Sequence, residues 1–586
     1  LRYSELVEVY EKIEGTTKRL EMTDYLVELF DKTPKELLDK VVYLTQGKLY
    51  PDFVDIELGI AEKLALRAIS MGFGISPAEA QKDLKERGDL GLTAEHLAER
   101  KMQATLFAKP LVVKEVYELL DKIARAAGPG SMDLKMKLLA GLLADAEPKE
   151  AKYILRMVTG KLRLGIADMT ILDALAISFT GSKENRKVIE RAYNLSSDLG
   201  DVAKTLAEEG LEGVEKYRVR VGRPIRMMMA QRLATAEEIL EKLGGSAACE
   251  WKYDGERIQI HKSGDEITLF TRRLENITPQ YPDAVGLARE YIKAKEGIIE
   301  GEAVAIDPDT GELLPFQQLM HRRRKYGIRK AAAEFPINLF LFDALYLDGK
   351  DLTREAYEER RKCLKEAVEE TERFKLAEAL VTDNPRDVEE FFEKAITAGC
   401  EGLILKSKSG FYQAGARGWL WIKLKRSYQS KMIEPIDVVI VGAFAGMGKR
   451  SGTYGALLAG VYDKEKDSFT TVCKVGSGFT DEDLAKLPEM LAPYKIEHIH
   501  ARVTSEMEAD VWFSPGLVME IIGDELTLSP IHTCAFGRIR EGAGVAVRFP
   551  RFTGRWRLDK GPEDATSVEE ILDMYRAQLK RIEEKS

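Results

Sequence analysis

The repeat period of the apolar residues changes once along this chain, and that change limits the fold more than any single motif. Up to about residue 220 apolar side chains recur every three or four positions, as in Val113, Val116, Tyr117, Leu120 and Ile123. That is the spacing of amphipathic helices. From about Gly222 the spacing falls to two, as in Arg257-Ile258-Gln259-Ile260-His261 and Glu266-Ile267-Thr268-Leu269-Phe270-Thr271. That is the spacing of half-buried strands. A second boundary is expected near Arg426-Ser427-Tyr428, beyond which short strands and turn signals suggest a small β-barrel, closed by an amphipathic helix from about Ser567. The chain has 586 residues, too many for one core and enough for roughly three or four domains.

Composition narrows the partners. The net charge is -9, so any phosphate-binding surface must come from local basic clusters. The five cysteines form no Cys-x-x-Cys pair, which argues against a zinc module and suits a reducing compartment. No apolar run is long enough to span a membrane. The chain opens without Met or a signal-peptide pattern, and a processed or trimmed start is expected.

Two stretches of the helical region could meet phosphate. In Gly128-Pro129-Gly130-Ser131 a glycine turn runs into Ser131 as expected N-cap, followed by Lys135 and Lys137. Helix N-termini bind phosphate. In Thr159-Gly160-Lys161-Leu162-Arg163-Leu164-Gly165 two glycines bracket Lys161 and Arg163, which allows close approach to a phosphate chain. Read by themselves, both are better explained as ordinary helix connections with solvated lysines. Gln103-Ala104-Thr105-Leu106-Phe107 reads either as core or as an apolar plug for a partner.

The strand-rich region carries the chemistry. In Glu250-Trp251-Lys252-Tyr253-Asp254-Gly255 a lysine precedes an Asp-Gly turn that leads into a strand. A lysine amine near its reference pKa of ~10.4 is a poor nucleophile. Burial or neighbouring cations would free its lone pair. Glu300 and Glu302 lie two apart on a strand and face one side, as ligands for a hard cation or as a plain sheet rim. Phe342, in a nearly continuous apolar run, is either core or a ring for stacking a base. Glu401 and Lys406 flank a short apolar strand. In Trp419-Leu420-Trp421-Ile422-Lys423-Leu424-Lys425 the two tryptophans and two lysines share one face. Paired lysines there repel unless an anion lies between them. Near the end, Gly446-Met447-Gly448-Lys449-Arg450 is a basic loop, and cations alternate with aromatics from Arg548 to Arg557, as on nucleic-acid surfaces.

Together and in this order the motifs resemble those of the covalent nucleotidyltransferases. They are Lys252-Tyr253-Asp254-Gly255, Thr271-Arg272-Arg273-Leu274-Glu275, Glu300-Gly301-Glu302, Phe342-Asp343, Glu401 to Lys406 with Trp421 to Lys425, and Arg557-Leu558-Asp559-Lys560. End to end the chain resembles ATP-dependent DNA ligases of the archaeal and eukaryotic replicative type. The resemblance implies a helical DNA-binding domain (1–221), an α+β adenylation domain (222–427) and an OB-fold barrel (428–586). It implies sealing of nicked duplex DNA in replication, repair and recombination through a lysyl-AMP intermediate.

The implied roles follow residue by residue. Lys252 is the nucleophile, Glu250 reads adenine and Phe342 stacks on it. Arg257, Arg272, Arg417 and Glu302 contact ribose and phosphates. Lys423 and Lys425 grip the α-phosphate and lower the Lys252 pKa, while Glu302 and Glu401 hold Mg²⁺ or Mn²⁺. Arg557 and Lys560 orient pyrophosphate, although Leu558 stands where that motif often has an acid. Lys135, Lys161, Arg163, Lys449 and Arg450 meet DNA. Gln103, Leu106 and Phe107 resemble a sliding-clamp motif, and residues 426–428 are the expected hinge. A monomeric, cytoplasmic protein with no membrane partner is implied. The sequence does not rank ATP against ADP. RNA ligases and capping enzymes share the lysine chemistry, but capping enzymes lack the helical domain. A non-catalytic scaffold with a decayed site conflicts with the intact motif residues.

Overall fold

A computed structural model of the chain describes residues 1–101, 109–306, 327–425, 435–446, 452–523, 525–529 and 531–583, with positions 313, 314, 316, 319 and 322. Gln103, Leu106, Phe107, Lys449, Arg450 and the expected hinge at 426–428 lie outside the described residues. The chain divides into two compact units, Leu1–Leu424 and Lys425–Ser586. No helix among the described residues is long and apolar enough to cross a membrane.

The first unit begins with helices, from Tyr3–Glu14 to Leu199–Glu215. Their apolar stripes meet in one shared core that includes Leu6, Phe30, Ile69, Leu120, Ile154 and Leu175. Burying each such side chain contributes roughly 1.5–3 kcal/mol, which is how helices with few side-chain caps hold together. Ser131 differs from expectation. It is the first residue of the helix Ser131–Asp145, and the cap position is Gly130 in the left-handed region, φ 79°. Only glycine adopts that conformation without strain.

Two sheets follow in the same unit. One comprises β1 (Met229–Arg232), β2 (Ala247–Lys252), β9 (Ala379–Thr382), β10 (Gly402–Lys406) and β11 (Arg417–Lys425), in the order β1-β11-β10-β2-β9. The other comprises β3 (Glu256–Ser263), β4 (Glu266–Thr271), β5 (Glu296–Ala305), β6 (Ile337–Leu347) and β7 (Lys350–Asp351), in the order β4-β3-β5-β6-β7, with β8 (Phe374–Leu376) beside β6. The bend after Lys252 carries the chain from one sheet to the other. Gly255 is required there by space. A Cβ on it would lie 2.2 Å from the Ala303 carbonyl oxygen on β5 and 3.0 Å from Glu302 Cγ.

The second unit is β-rich. Its sheet has Ile436–Ala445 paired with Tyr454–Asp463 and with Val518–Ile522. Ser468–Val475 pairs with Tyr454–Asp463, and Arg551–Trp556 closes on Val518–Ile522. Alternate residues, among them Val438, Ile440, Leu457, Val472 and Met519, fill its own core. The helices Asp481–Leu491 and Val568–Glu583 pack on this barrel-like sheet through Leu487 and Ile571. The architecture is therefore a helical N-terminal region, a mixed α/β middle and an OB-like β-rich C-terminal region.

Candidate active site

Lys252 is the last residue of β2, and strand register surrounds it with carboxylates. It pairs with Gly402 on β10, and the Glu401 amide donates to the Lys252 carbonyl at 2.8 Å. The Glu401 carboxylate consequently sits 2.5 Å from the Lys252 ammonium. Glu302 reaches the same spot from β5, and Asp254 from the bend. Asp254 interacts with Glu401 as well. Burial and the Glu401 charge push Asp254 up to about 6. Burial, with Glu401 and Asp254 acting in the same sense, raises Glu302 to about 7 against the pull of Lys252 and Arg257.

The Lys252 pKa departs from expectation. Burial acts to lower it, but Glu401, Glu302 and Asp254 outweigh burial and the net shift is upward. The physical reason is proximity, because three carboxylates surround the ammonium. This cluster suits a hard divalent cation. Oxygen donors are what such ions take, and a positive charge would offset the burial and like charge that raise both acids.

Beside the acids lies a group of arginines. Arg257 on β3 stands opposite Glu302 on β5. It donates to the Met228 carbonyl at 2.7 Å and to Glu300 at 2.8 Å, and its buried Nε has no hydrogen-bond partner among the described residues. Arg272 and Arg417 are exposed and reach the Met229 sulfur at 3.3 and 3.9 Å. A thioether is a weak acceptor, so their charge is poorly met. Burial and the like charges of Arg257 and Arg417 lower the Arg272 pKa. Three guanidiniums gathered next to a lysine are arranged for a polyanion.

Phe342 on β6 is half-buried and meets Trp421 edge-on at 6.3 Å. The aromatic face of β11 is only partly as expected. Trp421 is buried against Tyr412 and Phe342, whereas Trp419 is 44% exposed. Lys423 and Lys425 alternate with buried Ile422 and Leu424 on that strand. Glu250 is buried on β2, with Tyr357, Arg361 and Lys406 on its carboxylate.

Several participants escaped sequence reading. Glu300 does not stand beside Glu302 as a second cation ligand. It is fully buried and accepts from Arg257, Gln259 and Tyr412. A register shift in β5–β6 at Glu300 and Gly301 accompanies this separation of the two acids. Asp254 read only as a turn residue, because the contact with Glu401 crosses many residues of sequence.

The expected DNA contacts in the helical region are placed unevenly. Lys161 is exposed. Lys135 is 7% exposed and donates to the Leu58 carbonyl at 2.8 Å, so it braces a loop in place of facing solvent. Arg163, at φ 61°, pairs with Asp89 at 2.6 Å. A cavity of about 1070 Å³ is lined by Lys48, Thr159, Gly160, Arg226, Arg272 and Arg273. In the second unit Arg557 and Lys560 both pair with Asp437, at 2.8 and 2.7 Å, and Leu558 is 78% exposed.

Comparison with known proteins agrees along the whole chain. Residues 227–425 match the family described as ATP dependent DNA ligase domain. Residues 2–176 match DNA ligase N terminus, and residues 450–560 match ATP dependent DNA ligase C terminal region. The chain is similar to DNA ligase 2 of Thermofilum pendens, 56% identical over 99% of this chain and 98% of that protein. It is similar to the DNA ligase of Staphylothermus marinus, 54% identical over 99% of this chain and 100% of the other. A solved structure titled Pmar-Lig_PreS3 has a similar fold, with TM-score 0.54, 16% identity and coverage of 94% of this chain and 99% of that one. With a clustered lysine, acids and arginines on this scaffold and relatives matched over nearly their full length, the chain belongs to the ATP-dependent DNA ligase family.

Proposed function

We propose that this ligase seals nicks in duplex DNA in three transfers, beginning at Lys252. The Lys252 Nζ attacks the α-phosphorus of ATP, a nitrogen–phosphorus bond forms, and the bond to pyrophosphate breaks. The departing amine proton passes to water. AMP then moves to the 5′-phosphate of the nick, and the 3′-hydroxyl attacks that phosphate and expels AMP. Covalent catalysis splits one hard step into easier ones, and phosphoryl-type transfer rests on positioning and charge neutralisation.

The observation that carries this reading is the enclosure of Lys252 by Glu401, Glu302 and Asp254 beside the arginines. Glu302 and Glu401 would hold Mg²⁺, which would neutralise the carboxylates that keep a proton on Lys252. Arg257, Arg272 and Arg417 meet the ribose and phosphates, Lys423 and Lys425 the α-phosphate, Phe342 the adenine face and Glu250 its edge. Arg557 and Lys560 orient the pyrophosphate after exchanging Asp437 for it. Lys161 contacts the DNA backbone, with Lys449 and Arg450 as further contacts and Arg163 shaping the loop that carries Lys161. Gln103, Leu106 and Phe107 engage a sliding clamp, and the protein acts as a monomer inside the cell. Domain limits at 221 and 427 complete the proposal.

A nicked duplex labelled at the 5′-phosphate tests the sequence of steps. Sealing with ATP, with adenylated DNA accumulating when the 3′ end lacks its hydroxyl, is the expected result. No adenylated strand under that block, from enzyme that seals the unblocked nick, would overturn the order of transfers.

A further inference from the structure

Lys406, at the end of β10, is used by no step above, yet it is a cation enclosed within this site. Its side chain is 1% exposed, and its ammonium lies 2.5 Å from Glu250. It also donates to the Phe342 carbonyl at 3.3 Å. Around it stand the rings of Trp421 at 4.3 Å and of Phe342 and Tyr357 at 4.9 Å each. A buried ammonium is costly without a partner, and here Glu250 is that partner. One ammonium thus ties the residue proposed to read the base edge to the residue proposed to stack on its face.

The other groups on Glu250 sharpen the point. Arg361 donates to it at 3.1 Å and the Tyr357 hydroxyl donates as well. Every partner is a donor, so the carboxylate is presented with acceptors only. Such a group answers the exocyclic amino group of a 6-aminopurine. It opposes the carbonyl oxygen of a 6-oxopurine, acceptor against acceptor. A Glu250 carboxyl that gained a proton would lose this preference, because a carboxylic acid can donate to that oxygen.

We infer that Lys406 is a specificity-determining positioning residue, which holds Glu250 acceptor-only towards the purine 6-position so that ATP is taken and GTP refused. The inference rests on the adenine reading proposed above. It gives Lys406 a role without contact to substrate, acting through Glu250 and Phe342.

The test is transfer of label from α-labelled ATP or GTP onto the full chain, with kcat and KM for each nucleotide in wild type, Lys406→Met and Lys406→Arg. The ratio of kcat/KM for ATP over GTP should fall by on the order of 10-fold in Lys406→Met, through KM for ATP more than through kcat. Lys406→Arg should recover most of it. An unchanged ratio in folded Lys406→Met, whatever the loss of overall rate, would overturn the inference. If Lys406→Met does not fold, as judged by thermal melting, Arg361→Gln removes the other cation from Glu250. A lowered ratio there supports the role of the pair, and an unchanged ratio overturns it. Wild type that takes no label from ATP would instead overturn the reaction itself, and the inference with it.

Discussion

At the scale of single residues, two positions have effects that can be given numbers. Gly255 sits where a Cβ would collide with the Ala303 carbonyl at 2.2 Å. Gly255→Ala must push β3 from β5 and move Lys252 relative to Glu302. A displacement of about 1 Å costs on the order of 100-fold, so label transfer from ATP should fall by that factor. Thermal melting should report a loss of about 1–3 kcal/mol. His261 is 1% exposed, hydrogen-bonded to the Gly222 amide at 2.9 Å and to Gln259, and burial lowers its pKa to about 3. In the unfolded chain it titrates near ~6.5. Its contribution is therefore complete above pH ~6.5 and is lost as pH falls, by about 2 kcal/mol between pH 6.5 and 5. Denaturation at both pH values should show a shallower pH dependence in His261→Gln than in wild type. Lys252 and Glu302 stand out in the sequence by type and spacing, Phe342 reads there as core or stacking ring, and Arg257 is picked out only by the family resemblance. Glu300, Lys135 and Lys406 misled or were missed because their meaning lies in burial and in partners far along the chain.

At the scale of elements, the site is assembled by strand register and by one buried clamp. The helix Tyr357–Ala367 is fixed to β6 by Arg360, whose guanidinium holds both oxygens of Asp343 at 2.7 and 3.0 Å with neither side chain exposed. Removing one partner of such a pair costs about 3–5 kcal/mol. Asp343→Asn should lower the melting transition of the first unit accordingly, and a change below about 1 kcal/mol would mean that the pair contributes little. The segment leading into β1 is bound with equal care. Gln259 grips both backbone groups of Ile225, and Arg257 and Tyr412 hold Met228. Glu300 joins these groups, accepting from Arg257 and Tyr412. Glu300→Gln should weaken Arg257 placement and reduce kcat/KM for ATP about 10–100-fold, read by label transfer with folding checked by melting. Alternating spacing marked the strands read at 266–273, 297–305 and 337–345 close to their observed limits, whereas the helix Tyr357–Ala367 was not read from the sequence. The pairing order of strands, which brings β10 beside β2 and β5 beside β3, has no local signal because it joins distant segments.

At the scale of the molecule, two units have separate cores, one set of apolar clusters in Leu1–Leu424 and another in Lys425–Ser586. Chains ending at 425 and starting at 435 should each melt cooperatively when expressed alone, and a non-cooperative melt of either would contradict independent cores. The net charge of -9 does not reveal the arginines Arg257, Arg272 and Arg417 that the fold brings close to one another and to Glu302. The account as a whole turns on that lysine becoming covalently adenylated. The most direct measurement is α-labelled ATP with Mg²⁺, followed by denaturation and peptide mapping, on protein first stripped of AMP by pyrophosphate. The account predicts acid-labile label confined to the peptide containing Lys252 and absent from Lys252→Ala. Label on another residue, or none at all, would contradict it.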